Sequence, residues 1–132
     1  LLVRLRPNVT RQSIPAISLA LDTSTITACG NDFDFDMIFS RPLEALGKEG
    51  DVLIAMSTSG QSENVLNAVN VAKHKKMLTV GFLGSTNGKF INNLDFLFNV
   101  PSKNTAAIQE AHIVAGHALM TYIEDGILEK NK

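Results

Sequence analysis

Residues 51–83, DVLIAMSTSGQSENVLNAVNVAKHKKMLTVGFL, leave this chain few ways to fold. Residues 52–56 (VLIAM) form an unbroken apolar run of strand length, without alternation, which predicts a strand covered on both faces. Residues 62–76 then change period. Val65, Leu66, Ala68, Val69 and Ala72 fall on one helical stripe, and Lys73, Lys75 and Lys76 crowd the last turn, where the helix dipole favours cations. Residues 77–83 (MLTVGFL) are a second buried run. A strand, a helix and a strand in that order predict two parallel strands joined by a right-handed crossover.

The rest of the chain extends this pattern. Residues 1–6 (LLVRLR) read as the end of a helix stopped by Pro7. Residues 16–21 (AISLAL), bounded by Pro15 and Asp22, read as a further strand, and Gly30-Asn31 as a turn. A helix is predicted over 35–46, ending at Gly47, with Pro42 marking a kink or a second start. A short helical piece over 89–93 leads to a strand over 95–100 and a long amphipathic helix over 104–124. Four strands among helices predict an α/β three-layer sandwich, with a mostly parallel sheet flanked by helices. No repeat, low-complexity segment or linker divides the 132 residues, so one domain is expected over 1–132.

Composition narrows the function. The chain is 45% hydrophobic and 19% charged with a formal net charge of −1, and no Lys/Arg block stands out. That argues against nucleic acid as a partner. The single cysteine, Cys29, has no internal disulfide partner and belongs to no metal-type pair, which makes a cytoplasmic setting and a small buried hydrophobe the expectations. No apolar run approaches a membrane span, and LLVRLRP is too short for a signal peptide. Leu1-Leu2-Val3 starts without Met or a cap, as though mid-helix, so a segment upstream of Leu1 is expected.

Three constellations can carry chemistry. The first is Ser57-Thr58-Ser59-Gly60-Gln61-Ser62. It follows a buried strand, where parallel α/β sheets bind ligands, and opens a helix whose free N–H groups favour an anion. Gly60 lets the backbone approach a ligand closely. Ser59 or Ser62 can equally serve as a helix N-cap. One cap needs one hydroxyl, however, and four hydroxyls in six residues favour an anion site. The segment GSTNGKF (84–90) only superficially suggests a nucleotide-binding loop: its spacing is one residue short, and Phe90 stands where a magnesium-binding hydroxyl belongs.

The second constellation is IQEAHIVAGH (108–117). Gln109 and His117 are eight residues apart, about two helical turns, and so share nearly one face. They can act on one ligand, with His117 as general base or metal ligand, or be structural. Two ligands are too few for a catalytic zinc site. The third comprises Asp22-Thr23-Ser24 and Gly30-Asn31-Asp32. These residues can orient sugar hydroxyls or simply cap helices and form turns.

Together, PAISLALDTSTITACGND, FSRPLEALGKEGDVLIAMSTSGQSENVLNA and IQEAHIVAGH, in this order over nearly the whole chain, resemble the phosphoheptose isomerase family, with its sugar isomerase (SIS), flavodoxin-like fold. That resemblance implies conversion of sedoheptulose 7-phosphate to D-glycero-D-manno-heptose 7-phosphate, toward the heptose of lipopolysaccharide. It implies substrate contacts from Asn31, Asp32, Ser57, Thr58, Ser59, Ser62 and Gln109, with Arg4 lining the site. It further implies zinc held by Gln109 and His117, with the remaining ligands upstream of Leu1, and acid–base work by His117. A homotetramer is the implied assembly. The family's N-terminal strand and helix, with its catalytic Glu, are absent from these residues, and Ala107 stands where an Arg is frequent. Without that strand, the sheet is expected to leave strands unpaired and apolar surface bare. The alternative is a non-catalytic SIS module, either phosphosugar-binding or replication-initiator-associating; His117 favours the enzyme.

Overall fold

A computed structural model describes residues 1–84, 88–89 and 91–130 of the chain. Three strands, β1 (Val52–Ser57), β2 (Leu78–Leu83) and β3 (Phe96–Asn99), form one parallel sheet in the order β1-β2-β3. Four α-helices accompany them: α1 (Thr23–Asp32), α2 (Ser40–Leu46), α3 (Glu63–His74) and α4 (Thr105–Lys130). The β1–α3–β2 unit is the one that the sequence predicts. The register Leu53↔Thr79, Ala55↔Gly81, Ser57↔Leu83 puts these residues on one face, since directly paired residues of neighbouring strands point the same way.

That face carries the core. Leu53, Ala55 and Leu83 pack with Leu43 of α2, with Ala68, Val69 and Ala72 of α3, and with Met77. The opposite face receives α4: the Phe82 ring lies 5.4 Å from Phe98 and edge-on to the buried His112, at 5.7 Å. Helices on both sides of a parallel sheet make the three-layer α/β architecture.

The helix ends follow local chemistry. The Asp22 carboxylate caps α1, accepting from the Ser24 N–H and the Thr25 hydroxyl; that hydroxyl, foremost, holds Asp22 below its ordinary pKa. α3 ends with Lys76 at φ 58°, the Lys76 N–H donating to the Lys73 carbonyl and the Met77 N–H to that of Ala72. This double bond pattern turns the chain sharply into β2, and it places a lysine where glycine is the usual occupant.

Several sequence expectations are corrected. Residues 1–6 are not helical and 16–21 are not a strand, so among the described residues three strands stand where four were expected. Helix termination by Pro7 and strand propensity at AISLAL are local signals; AISLAL pairs with no strand and reaches the core only through Leu19, while Ile17 and Leu21 are exposed. Residues 1–11 are instead tethered through Glu124 of α4, which accepts from the Leu5 and Arg6 N–H groups and from the Arg6 and Arg11 guanidinium groups. Gly30 and Asn31 lie inside α1 and make no turn. The 35–46 helix is split into a 3-10 turn at Phe35–Met37 and α2, with Pro42 tolerated in the first turn of α2.

β1 is also not covered on both faces. Val52, Ile54 and Met56 are exposed while Leu53, Ala55 and Ser57 are buried, and β1 is an edge strand with one side unpaired among the described residues. α4 is less amphipathic than expected, for Ile113, Val114 and Tyr122 are exposed. The GSTNGKF reading lies partly outside the described residues, because it includes Ser85, Thr86, Asn87 and Phe90.

Candidate functional site

A cleft of about 500 Å³ opens at the carboxyl end of the sheet. Thr58 and Ser59 follow β1, Gly84 follows β2, and Pro101, Ser102 and Lys103 follow β3; Thr105 and Ile108 add the first turn of α4. Three consecutive parallel strands thus end on one concavity, the position in which this architecture accepts ligands.

The loop after β1 divides its hydroxyls between two tasks. Ser57 Oγ accepts from the Gly60 N–H at 3.0 Å and lies 3.1 Å from Ser62 Oγ, so the two outer serines tie the turn together from within. Ser62 stands at the N-cap of α3 but makes no capping bond with its side chain, which removes the simple capping explanation for it. Ser59 Oγ accepts from the Gln61 N–H at 3.2 Å, and Thr58 and Ser59 face the cleft. Gly60 sits at φ 64°, and a Cβ there would lie 2.8 Å from the Gly88 Cα. The Lys89 N–H donates to the Gly60 carbonyl at 2.8 Å, and the Lys89 ammonium pairs with Glu63 at the same distance. That pair raises the Lys89 pKa and offsets the one carboxylate in the first turn of α3.

Gly84 forms the floor. A Cβ there would collide with the Ile108 side chain and come within 2.5 Å of the Thr58 carbonyl. At the far wall, Asn104 Oδ1 caps α4 by accepting from the Ala106 N–H at 2.9 Å, and Ser102 Oγ accepts from the Asn104 N–H. The cleft therefore offers hydroxyls and backbone donors, and no carboxylate lines it among the described residues.

The other predicted residues lie apart from this cleft. Gln109 immediately follows Ile108 and is exposed; His117, also exposed, is about 12 Å farther along α4. Asn31 and Asp32 end α1, exposed and bonded to each other, Asn31 Nδ2 to Asp32 Oδ1, at 2.8 Å. Arg4 is exposed in the non-helical N-terminal segment. None of these five lines the cleft. As to zinc, no group of three His, Cys, Asp or Glu residues comes together among the described residues. Gln109 and His117 are two exposed ligands on one helix, short of the four that zinc takes, so the described residues do not complete a zinc site.

The sequence reading missed Ser102, Lys103 and Thr105. Their signal was available, since PSKNT follows a strand and precedes a helix just as STSGQS does.

Comparison with known proteins agrees with this architecture. A family model described as "SIS domain" matches residues 2–84. The chain is 49% identical over 124 residues to a phosphoheptose isomerase of Paramagnetospirillum magneticum, covering 94% of this chain and 64% of that protein. It is 44% identical over 122 residues to one of Aneurinibacillus thermoaerophilus, covering 92% and 61%. The solved structure of a phosphoheptose isomerase from Francisella tularensis superposes with a TM-score of 0.84 at 41% identity, covering 87% of this chain and 62% of that one. The chain thus spans somewhat under two thirds of the length of these relatives.

Proposed function

The chain belongs to the SIS domain family, and from that premise we propose that it acts as an aldose–ketose isomerase on sedoheptulose 7-phosphate, yielding D-glycero-D-manno-heptose 7-phosphate for heptose and lipopolysaccharide synthesis. The observation that carries this reading is the cleft at the ends of β1, β2 and β3, walled by Thr58 and Ser59 and lined by no carboxylate among the described residues. Its chemistry suits a phosphate. Its similarity to phosphoheptose isomerases, at 44–49% identity, directs that phosphate to a heptose.

The residues divide the work. The Ser57–Ser62 turn presents backbone N–H groups at the start of α3, and Thr58 and Ser59 offer hydroxyls to the phosphate oxygens. An anchor there supplies binding energy far from the reacting carbons and fixes their position. Isomerisation removes a proton from one carbon, passes through an enediolate and returns a proton to the neighbouring carbon. His117 is the group of this chain for acid–base work, with Gln109, Asn31, Asp32 and Arg4 as further substrate contacts. Zinc belongs to the proposal as an ion held by Gln109 and His117 together with ligands that the described residues do not supply. A cytoplasmic homotetramer is the proposed assembly; no described helix is long and apolar enough to cross a membrane.

A second reading, a non-catalytic SIS module that binds a phosphosugar or associates with a replication initiator, is favoured by one observation: among the described residues no His, Asp, Glu, Cys or Tyr lines the cleft. Assay of the full-length, zinc-supplied protein with sedoheptulose 7-phosphate separates the two. Turnover is expected; a folded protein that binds the sugar phosphate without converting it overturns the enzyme reading.

A further inference from the structure

Among the described residues Lys103 is the only charged one that lines the cleft. It stands on the β3–α4 connection, while the hydroxyls of Thr58 and Ser59 stand on the β1–α3 loop. Among the described residues Lys103 has no ion-pair partner, whereas Lys89 beside the β1–α3 turn is engaged with Glu63 at 2.8 Å. Its neighbours are already satisfied locally, Asn104 capping α4 and Ser102 accepting from the Asn104 N–H. The short PSKN connection is thus pinned by its own bonds, and the lysine is left to face the cavity. A neutral cradle of hydroxyls and N–H groups discriminates poorly between a phosphate ester and a neutral polyol, because both accept hydrogen bonds. A single unpaired ammonium changes that, for it rewards the dianion alone.

We propose that Lys103 is the charge-selecting residue of the cleft: it supplies the cation that makes the site prefer a phosphorylated sugar over the same sugar without phosphate. This deepens the functional reading above and rests on the cleft being the phosphate site. Three consequences follow from its exposure and flexible stem. Lys103 contributes to affinity more than to the fold. The contribution is screened by salt, since an exposed ion pair weakens as the Debye length shrinks. Arginine can replace it, as the requirement is for charge.

The test measures binding of sedoheptulose 7-phosphate, inorganic phosphate and unphosphorylated sedoheptulose to the full-length protein by calorimetry, at low and high salt. Wild type, Lys103→Met and Lys103→Arg are compared, with thermal midpoints as a check on folding. Lys103→Met should bind both phosphate ligands about tenfold more weakly at low salt, lose most of its salt dependence and bind the neutral sugar unchanged. Lys103→Arg should restore affinity to within about threefold. If the wild type binds the sugar phosphate and Lys103→Met binds it equally well with the same salt dependence, the assignment of Lys103 is wrong while the cleft remains a phosphate site. If the wild type binds neither phosphate ligand, both the assignment and the functional reading fail.

Discussion

The guanidinium of Arg11 and the carboxylate of Glu124 meet at 2.8 Å, with both side chains only 1% exposed, across 113 residues of sequence. The same carboxylate accepts from the Leu5 N–H at 3.0 Å and from the Arg6 N–H and guanidinium. Two adjacent acidic residues of α4 therefore fasten residues 5–11: Glu124 through these bonds, and Asp125 through the Arg6 guanidinium. The Leu5 bond foremost, with those from Arg11 and Arg6, pulls the Glu124 pKa from 4.5 to about 2 against the cost of burial. Glu124→Gln should release residues 1–11, seen as faster amide exchange there and a lower thermal midpoint. Unchanged exchange would show that the segment is held by other contacts.

The same depression fixes the acid response. A carboxylate with a lowered folded-state pKa stabilises the fold above its unfolded value and loses that contribution as pH falls through the folded value. Glu124 places this window between about 4.5 and 2, and Asp95, held at about 2 by the Lys73 ammonium and the Thr79 N–H and hydroxyl, places a second from 3.8 downward. Stability should be flat from neutral pH to about 5 and then fall. In Glu124→Gln the fall should be shallower, measured by denaturant titration at each pH.

Ser57 and Ser59 should behave as different kinds of residue, although they sit two apart in one motif. Ser57→Ala strands the buried Gly60 N–H and should cost about 1–3 kcal/mol of stability. Ser59→Ala faces the cleft and should weaken phosphate binding several-fold with little change in melting temperature. Equal loss of stability in the two variants would contradict the division of labour.

Gly60→Ala meets two obstacles at once, a left-handed φ of 64° and the Gly88 backbone at 2.8 Å. A cost of about 1–3 kcal/mol is expected, with loss of phosphate binding because the turn must open. A variant that is stable and binds normally would mean that the turn is not held as described.

Lys76→Gly should do the reverse. Lys76 occupies a left-handed position at the end of α3, and its side chain makes only an exposed 3.4 Å contact with Glu49, while its backbone bonds are open to glycine as well. Glycine removes the Cβ penalty and should raise stability by about 1 kcal/mol in chemical denaturation.

His117→Ala should lower isomerase turnover of the full-length protein by at least about a hundredfold while sparing sugar-phosphate binding. Retained turnover would remove His117 from the proton-transfer role.

Residues 51–83 read correctly from sequence because their signals are local and mutually consistent: an apolar run, a glycine-containing turn, a helical stripe and a second apolar run each specify one element, and short connections leave one parallel pairing. The ends of the chain were less legible. AISLAL has the composition of a strand, but an edge to pair with is a property of the tertiary structure, so the segment stays irregular. The alternation of burial along β1 likewise depends on which layers are present, and VLIAM contains no polar residue to reveal it. The cleft shows the same split. Sequence alone singled out STSGQS as the candidate anion-binding turn, since its hydroxyls and glycine are contiguous. Only the tertiary structure decided that Ser57 and Ser62 brace the turn while Thr58 and Ser59 face the cavity, and that Lys103, some forty residues downstream, closes its far side. Parallel strands bring distant loops together at one end of the sheet, and no local pattern encodes that meeting.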